Sequence, residues 1–417
     1  METRTATKIT PHPVLLLAGI FLIATNLRAP FTSIAPLLDG LKESFHLNAT
    51  QAGMLITLPL LAFALVSPFA AGLARRWGLE RTLLLALIVI GAGVLLRSVG
   101  SIWSLYLGTW IIGSGIALGN VLLPAILKRD FPEKVAPLTA TYVLAMGIAA
   151  ASMSAVAIPL SQFSNFDWRL EMACLILLPA IGILVWLPQV FRETQLTTKV
   201  RGPLRNVLWR SPIAWQVTFF LGFDCFLYYV GVSWLPAILE DGGYSTEQAG
   251  SMHGVLLLAT AIPGLILIPI VPRMKDQRAV ACFLSLSIAV GLLGLLIAPK
   301  FAVLWVLVFG FGAGGGLILA LSFISMRTPN AQYAAGLSGM AQCVGYLVAS
   351  AGPPVIGRMH DATGSWSIPL TVCVLLGGIM AVVGYFAGRD VQLSDVQPHV
   401  GNAIALRRNT GTEAVKG

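Results

Sequence analysis

Residues 113–132, GSGIALGNVLLPAILKRDFP, return 197 positions later as residues 310–329, GFGAGGGLILALSFISMRTP. Gly113, Gly115 and Gly119 fall on Gly310, Gly312 and Gly316, and Pro132 falls on Pro329. Arg81 and Arg278 keep the same offset, as do the stretches Gln51-Ala52-Gly53-Met54 and Gln248-Ala249-Gly250-Ser251. Pro36-Leu37-Leu38 is answered by Pro236-Ala237-Ile238 after a slip of three residues. One short match is chance; a register held over half the chain is an internal repeat. The glycines are not phosphate loops, because no Lys-Ser/Thr follows them. Small residues so spaced let apolar helices approach closely.

Around these segments the chain is apolar. Of its 417 residues, 56% are hydrophobic and 11% charged, against about 25% charged in an ordinary soluble protein. A bilayer core takes about 20 apolar residues in one helix. Twelve such runs can be marked, at 14–38, 51–74, 82–98, 103–127, 135–160, 169–190, 212–238, 249–271, 279–298, 301–326, 333–357 and 367–388. They are too long and continuous for the strands of a membrane barrel. The first runs on to Asp39 with no cleavage site and does not read as a signal peptide. The net charge of +9 does not point to nucleic acid, since the cations sit between apolar runs. With the N-terminus inside, 21 of the 27 Lys and Arg fall on the cytoplasmic side, five fall outside, and Arg28 lies within a span. That asymmetry predicts both termini in the cytoplasm. None of the five Cys forms a CxxC pair, so they read as small buried hydrophobes; no metal or cofactor is expected.

The expectation is therefore an all-α integral membrane protein of twelve transmembrane helices, arranged as two pseudo-symmetric six-helix bundles. Residues 1–190 form the first bundle and 212–390 the second. The basic, polar stretch 191–211, FRETQLTTKVRGPLRNVLWRS, is a cytoplasmic linker, and 391–417 a cytoplasmic tail. Parallel repeats of this kind are a transporter plan, with the solute site near the midplane between the halves.

This layout resembles the major facilitator superfamily. That superfamily carries a signature near G-x-L-A-D-R-x-G-R-R between its second and third helices. Here the stretch is Gly72-Leu73-Ala74-Arg75-Arg76-Trp77-Gly78-Leu79-Glu80-Arg81, with Arg75 at the Asp position. Finer pieces are similar to the cyanate/2-nitroimidazole transporter branch. They are Asn26-Leu27-Arg28, LPLLAFAL at 58–65, GIALGNVLLP at 115–124, KRDFP at 128–132, SPIAWQVT at 211–218, YYVGVSWLPAIL at 228–239, LSGMAQCVGYL at 337–347 and GPPVIGRMHD at 352–361. The resemblance implies a carrier of small nitrogenous solutes in the bacterial inner membrane.

Arg28 is the sharpest candidate. An arginine within a span is costly and should face a cavity with a partner or a task. Its planar fork suits a small anion or a polarised nitro or cyanate group. Asp224 is the acidic residue nearest the centre of any span. It reads either as the counter-ion of Arg28 or as a proton carrier. Tyr228 lies one helical turn beyond it, on the same face. Asn26, Asn120 and Gln342 are amides within spans and read as cavity lining or as helix-to-helix hydrogen bonds. His253 is a second candidate for proton coupling, near the outer end of its span.

These residues suggest a secondary carrier working by alternating access, with a small-molecule solute, lipid and a proton as partners; a monomer is expected. A channel or uncoupled facilitator for small anions is the alternative. An enzyme is not expected, because no H-E-x-x-H, G-x-S-x-G or intramembrane carboxylate pair appears.

Overall fold

A computed structural model describes residues 13–34, 37–47, 49–163, 168–191, 204–274 and 276–393. Among the described residues, twelve helices are long and apolar enough to cross a membrane. They are α1 (Val14–Thr32), α2 (Thr57–Trp77), α3 (Leu79–Arg97), α4 (Ile102–Asp130), α5 (Pro132–Met153), α6 (Met172–Phe191), α7 (Pro212–Asp241), α8 (Glu247–Leu267), α9 (Arg278–Ile297), α10 (Pro299–Met326), α11 (Ala331–Thr363) and α12 (Ser367–Ala387). Among the described residues there is no strand. The chain is a multi-pass membrane protein.

The run 14–38 is not one continuous helix. Helical backbone extends over Pro13–Asn26, breaks at Leu27 and Arg28, and resumes for Ala29–Thr32. Pro30 lacks the N–H that would bond the Asn26 carbonyl, which accounts for the break. The tip of α3 holds this kink, where the buried Arg97 donates from Nη1 to the Pro30 carbonyl at 2.8 Å. α8 is broken in the same way, between Thr246–Ala259 and Ile262–Ile270, with Pro263 just past the gap.

Within the expected linker, residues 192–203 lie outside the described residues, and Leu204–Arg210 is helical. Most of the expected tail, 394–417, also lies outside them; Leu393 is buried, its N–H bonded to the Arg327 carbonyl.

Glycines draw neighbouring helices together as their spacing predicts. A Cβ at Gly93 would lie 2.7 Å from the Ile112 nitrogen, and one at Gly115 would lie 2.8 Å from the Ala86 carbonyl, locking α3 to α4. In the second half, Gly291 and Gly312 do the same for α9 and α10.

The end of the molecule bearing Arg75, Arg76 and Arg129 carries polar clamps within each bundle. Arg129 meets Glu80 at 2.7 Å and Asp130 at 2.8 Å. The signature loop lacks its usual acid at position 75, and Glu80 supplies an ion pair from within the same loop. The repeat position of Glu80 is Gln277, 197 residues on, and Gln277 accepts from Arg327. Arg327 also donates from Nε to the Ala387 carbonyl at 2.9 Å. Burial pulls its guanidinium down to about 10, which still leaves it charged at neutral pH. The two bundles touch at this end: Ser325 Oγ donates to the Pro124 carbonyl at 2.9 Å, and Gly339 lies against the Ser67 carbonyl.

Candidate solute site

A cavity of about 70 Å³ lies where α1, α2, α4 and α5 meet α7, α8, α10 and α11. One water needs about 10–15 Å³ by this measure. The space therefore takes roughly five waters, about the room a one-ring heterocycle fills.

Ten of the sixteen lining residues fall in repeat pairs. Leu27, Arg28, Phe31, Phe63 and Asn120 come from the first half. Adding 197 to each gives Asp224, Cys225, Tyr228, Thr260 and Leu317, and all five line the same cavity. It therefore sits on the pseudo-twofold axis relating the bundles. The two walls differ in chemistry: the first contributes a guanidinium and an amide, the second a carboxyl, a thiol and four hydroxyls. The helix breaks at Leu27–Arg28 and at Thr260 both open onto it, so irregular backbone falls where a cavity can satisfy it.

Arg28 is half-buried and reaches across the axis. Its Nη2 donates to the Tyr228 hydroxyl at 2.7 Å, and its guanidinium carbon lies 5.6 Å from the Tyr228 ring centre. Aromatic rings surround it. Phe31 meets Phe63 edge-on at 6.4 Å, Phe63 meets Tyr346 at 4.9 Å, and Tyr228 meets Tyr229 at 5.2 Å. Rings so placed offer faces and edges to a flat solute. Asn120 also lines the cavity.

Asp224 is buried and lines the cavity, yet no ion pair joins it to Arg28 among the described residues. Its Oδ1 has no hydrogen-bond partner. The carboxyl is packed on α10, where a Cβ at Gly316 would lie 2.9 Å from Cγ of Asp224. The register explains this: Asp224 is the repeat position of Leu27, which packs against Gly119, the repeat position of Gly316. An acid thus occupies a slot that the first half fills with an apolar side chain. Gly316→Ala should therefore cost about 1–3 kcal/mol of stability. Gly119→Ala meets only the flexible end of Leu27 and should cost less. Thermal unfolding of the two variants compares them; equal losses would mean that the carboxyl swings aside freely.

The other candidates lie apart from the lining. Asn26 is buried and donates from Nδ2 to the carbonyls of Leu22 at 2.8 Å and Leu178 at 3.2 Å, joining α1 to α6. Gln342 is buried on α11 and donates to Ser338 Oγ at 3.0 Å. His253 is half-buried in α8, its Nδ1 without a partner. Sequence reasoning missed Phe31, Phe63, Thr260 and Tyr346. Applying the 197-residue offset to Arg28 and its helical neighbours would have found some of them.

Comparison with known proteins agrees with this architecture. The family model described as Major Facilitator Superfamily matches residues 16–353. The 2-nitroimidazole transporter of Escherichia coli (strain K12) is 51% identical over 383 residues, covering 91% of this chain and 97% of its own. The cyanate transport protein CynX of the same organism is 25% identical over 378 residues, covering 89% of this chain and 97% of its own. Among solved structures, the proton:xylose symporter XylE superposes with a TM-score of 0.75 at 13% identity, over 91% of this chain and 96% of that one.

Proposed function

Since this chain belongs to the Major Facilitator Superfamily, we propose that it is a secondary carrier of a small nitrogen-containing solute, 2-nitroimidazole-like or cyanate-like, in the bacterial inner membrane. The observation that carries this reading is the cavity on the pseudo-twofold axis, with Arg28 of one bundle bonded to Tyr228 of the other. A site shared by two parallel repeats is exposed to each side in turn when the bundles rock. With the basic end in the cytoplasm, the contacts of Ser325 with Pro124 and of Gly339 with Ser67 must part for inward opening. Efflux is the proposed direction. Asp224 is the proposed coupling group: a buried carboxyl on the cavity wall whose Oδ1 has no partner is free to exchange a proton with the solute path.

Purified protein in liposomes should show saturable 2-nitroimidazole flux, with trans-acceleration by solute on the opposite side. Flux that neither saturates nor shows counterflow would mean a channel. Asp224→Asn should lose accumulation driven by a pH gradient while keeping counterflow; loss of neither removes Asp224 from coupling. Cysteines introduced as Lys42→Cys and Arg201→Cys report orientation, and only the first should label from outside.

A further inference from the structure

Among the described residues, none is a counter-ion to Arg28 in the cavity. Among the described residues it makes one hydrogen bond, to Tyr228, out of the five N–H donors a guanidinium carries. The acid sharing the cavity, Asp224, is packed on Gly316 and not paired with it. Its hydrogen-bond partner Tyr228 shares the lining with Tyr229 and Tyr346, all three hydroxyl-bearing rings. A cation in a span needs a partner, and this wall leaves that role to whatever enters. The rest of the enclosure is mostly aromatic or apolar, with Phe31, Phe63 and Leu317 among its walls, and Asn120, Cys225 and Thr260 are its polar members.

We infer that the solute is a planar aromatic or heteroaromatic anion, an aryl carboxylate or a nitroazole that has lost its ring proton. Its charged edge lies on the Arg28 fork and its ring among Phe31, Phe63 and Tyr346. Carboxylate and nitro groups are both flat, three-atom, two-oxygen edges, so a guanidinium grips either with two parallel N–H donors. Only the anion also balances the charge of Arg28. Cyanate is linear and leaves the aromatic faces unused, so it fits less well. Asn120 stands on the same wall to meet a ring nitrogen or a hydroxyl. This assignment rests on the carrier reading above and narrows its solute by charge and shape.

Four probes, in two matched pairs, test it on the full-length protein in detergent. Benzoate and benzamide share a shape and differ in charge. 2-Nitroimidazole and 1-methyl-2-nitroimidazole share the nitro group, but only the first can ionise. Binding is read by ligand-induced thermal stabilisation, at a pH where 2-nitroimidazole is largely deprotonated. In each pair the ionised member should bind about tenfold tighter or more. Arg28→Gln should erase both preferences; its unliganded melting temperature shows whether it is folded. If it is not, the wild-type pairs decide alone. Equal or tighter binding of benzamide and the N-methyl compound overturns the inference, as does a failure of benzoate to bind. If liposomes still carry 2-nitroimidazole in that case, the carrier reading survives. Benzoate binding without 2-nitroimidazole flux would instead sink the proposed solute and keep the anion site.

Discussion

Arg28→Ala is expected to lower solute affinity and flux by a hundredfold or more while the protein still inserts and folds. Two charge-assisted hydrogen bonds at about 1.5–3 kcal/mol each set the lower bound of that loss. Folding should survive because removing an arginine from a span relieves an insertion cost of about 2.5–3.5 kcal/mol. The group left behind is the Tyr228 hydroxyl, which lines a cavity that water can enter. Arg28→Lys keeps the charge and loses the fork, so binding should weaken by roughly tenfold. Counterflow in liposomes, with expression and melting temperature measured alongside, separates these outcomes. Wild-type flux in Arg28→Ala would remove the guanidinium from solute binding.

The second large effect belongs to a glycine. Gly314 on α10 lies against the break in α8, and a Cβ there would sit 2.7 Å from both the carbonyl carbon and Cα of Thr260. Backbone cannot rotate out of the way as a side chain can, so Gly314→Ala must push α10 off α8. Overpacking of this kind costs about 1–3 kcal/mol. Both Gly314 and Thr260 line the cavity, so the damage falls on the site as well. A lower melting temperature together with lost binding is expected. A variant that is destabilised but binds normally would show that the cavity does not depend on this contact.

The fold was legible because hydropathy alone forces it. With no water to satisfy a bare backbone, every apolar run of sufficient length becomes a helix, and all twelve runs did. The break in α1 was announced by Pro30, yet the run 14–38 looked continuous because hydropathy does not register a missing N–H. The relation of Arg28 to Asp224 was harder. Both are ionisable and both lie in spans, which invites pairing. Direction around a helix decides otherwise, and the repeat already held that information: Asp224 is 197 residues from Leu27, whereas Arg28 maps onto Cys225. The positions of Gln342 and Asn26 were not legible. A buried amide has equal reason to bond a neighbouring helix or a solute, and composition does not choose between Ser338 and a cavity. Phe63 and Tyr346 carry no signal as single aromatics in apolar helices; only the packing of α2 against α11 brings their rings to 4.9 Å.

The hydrogen bond from Arg28 to Tyr228 ties α1 to α7, and so ties one bundle to the other. A cargo that takes the Nη2 donor now held by the Tyr228 oxygen would unfasten that knot. Loading and the freedom to part would then be one event at the level of a single bond, the idle carrier being held shut in part by atoms that a busy one turns toward its passenger.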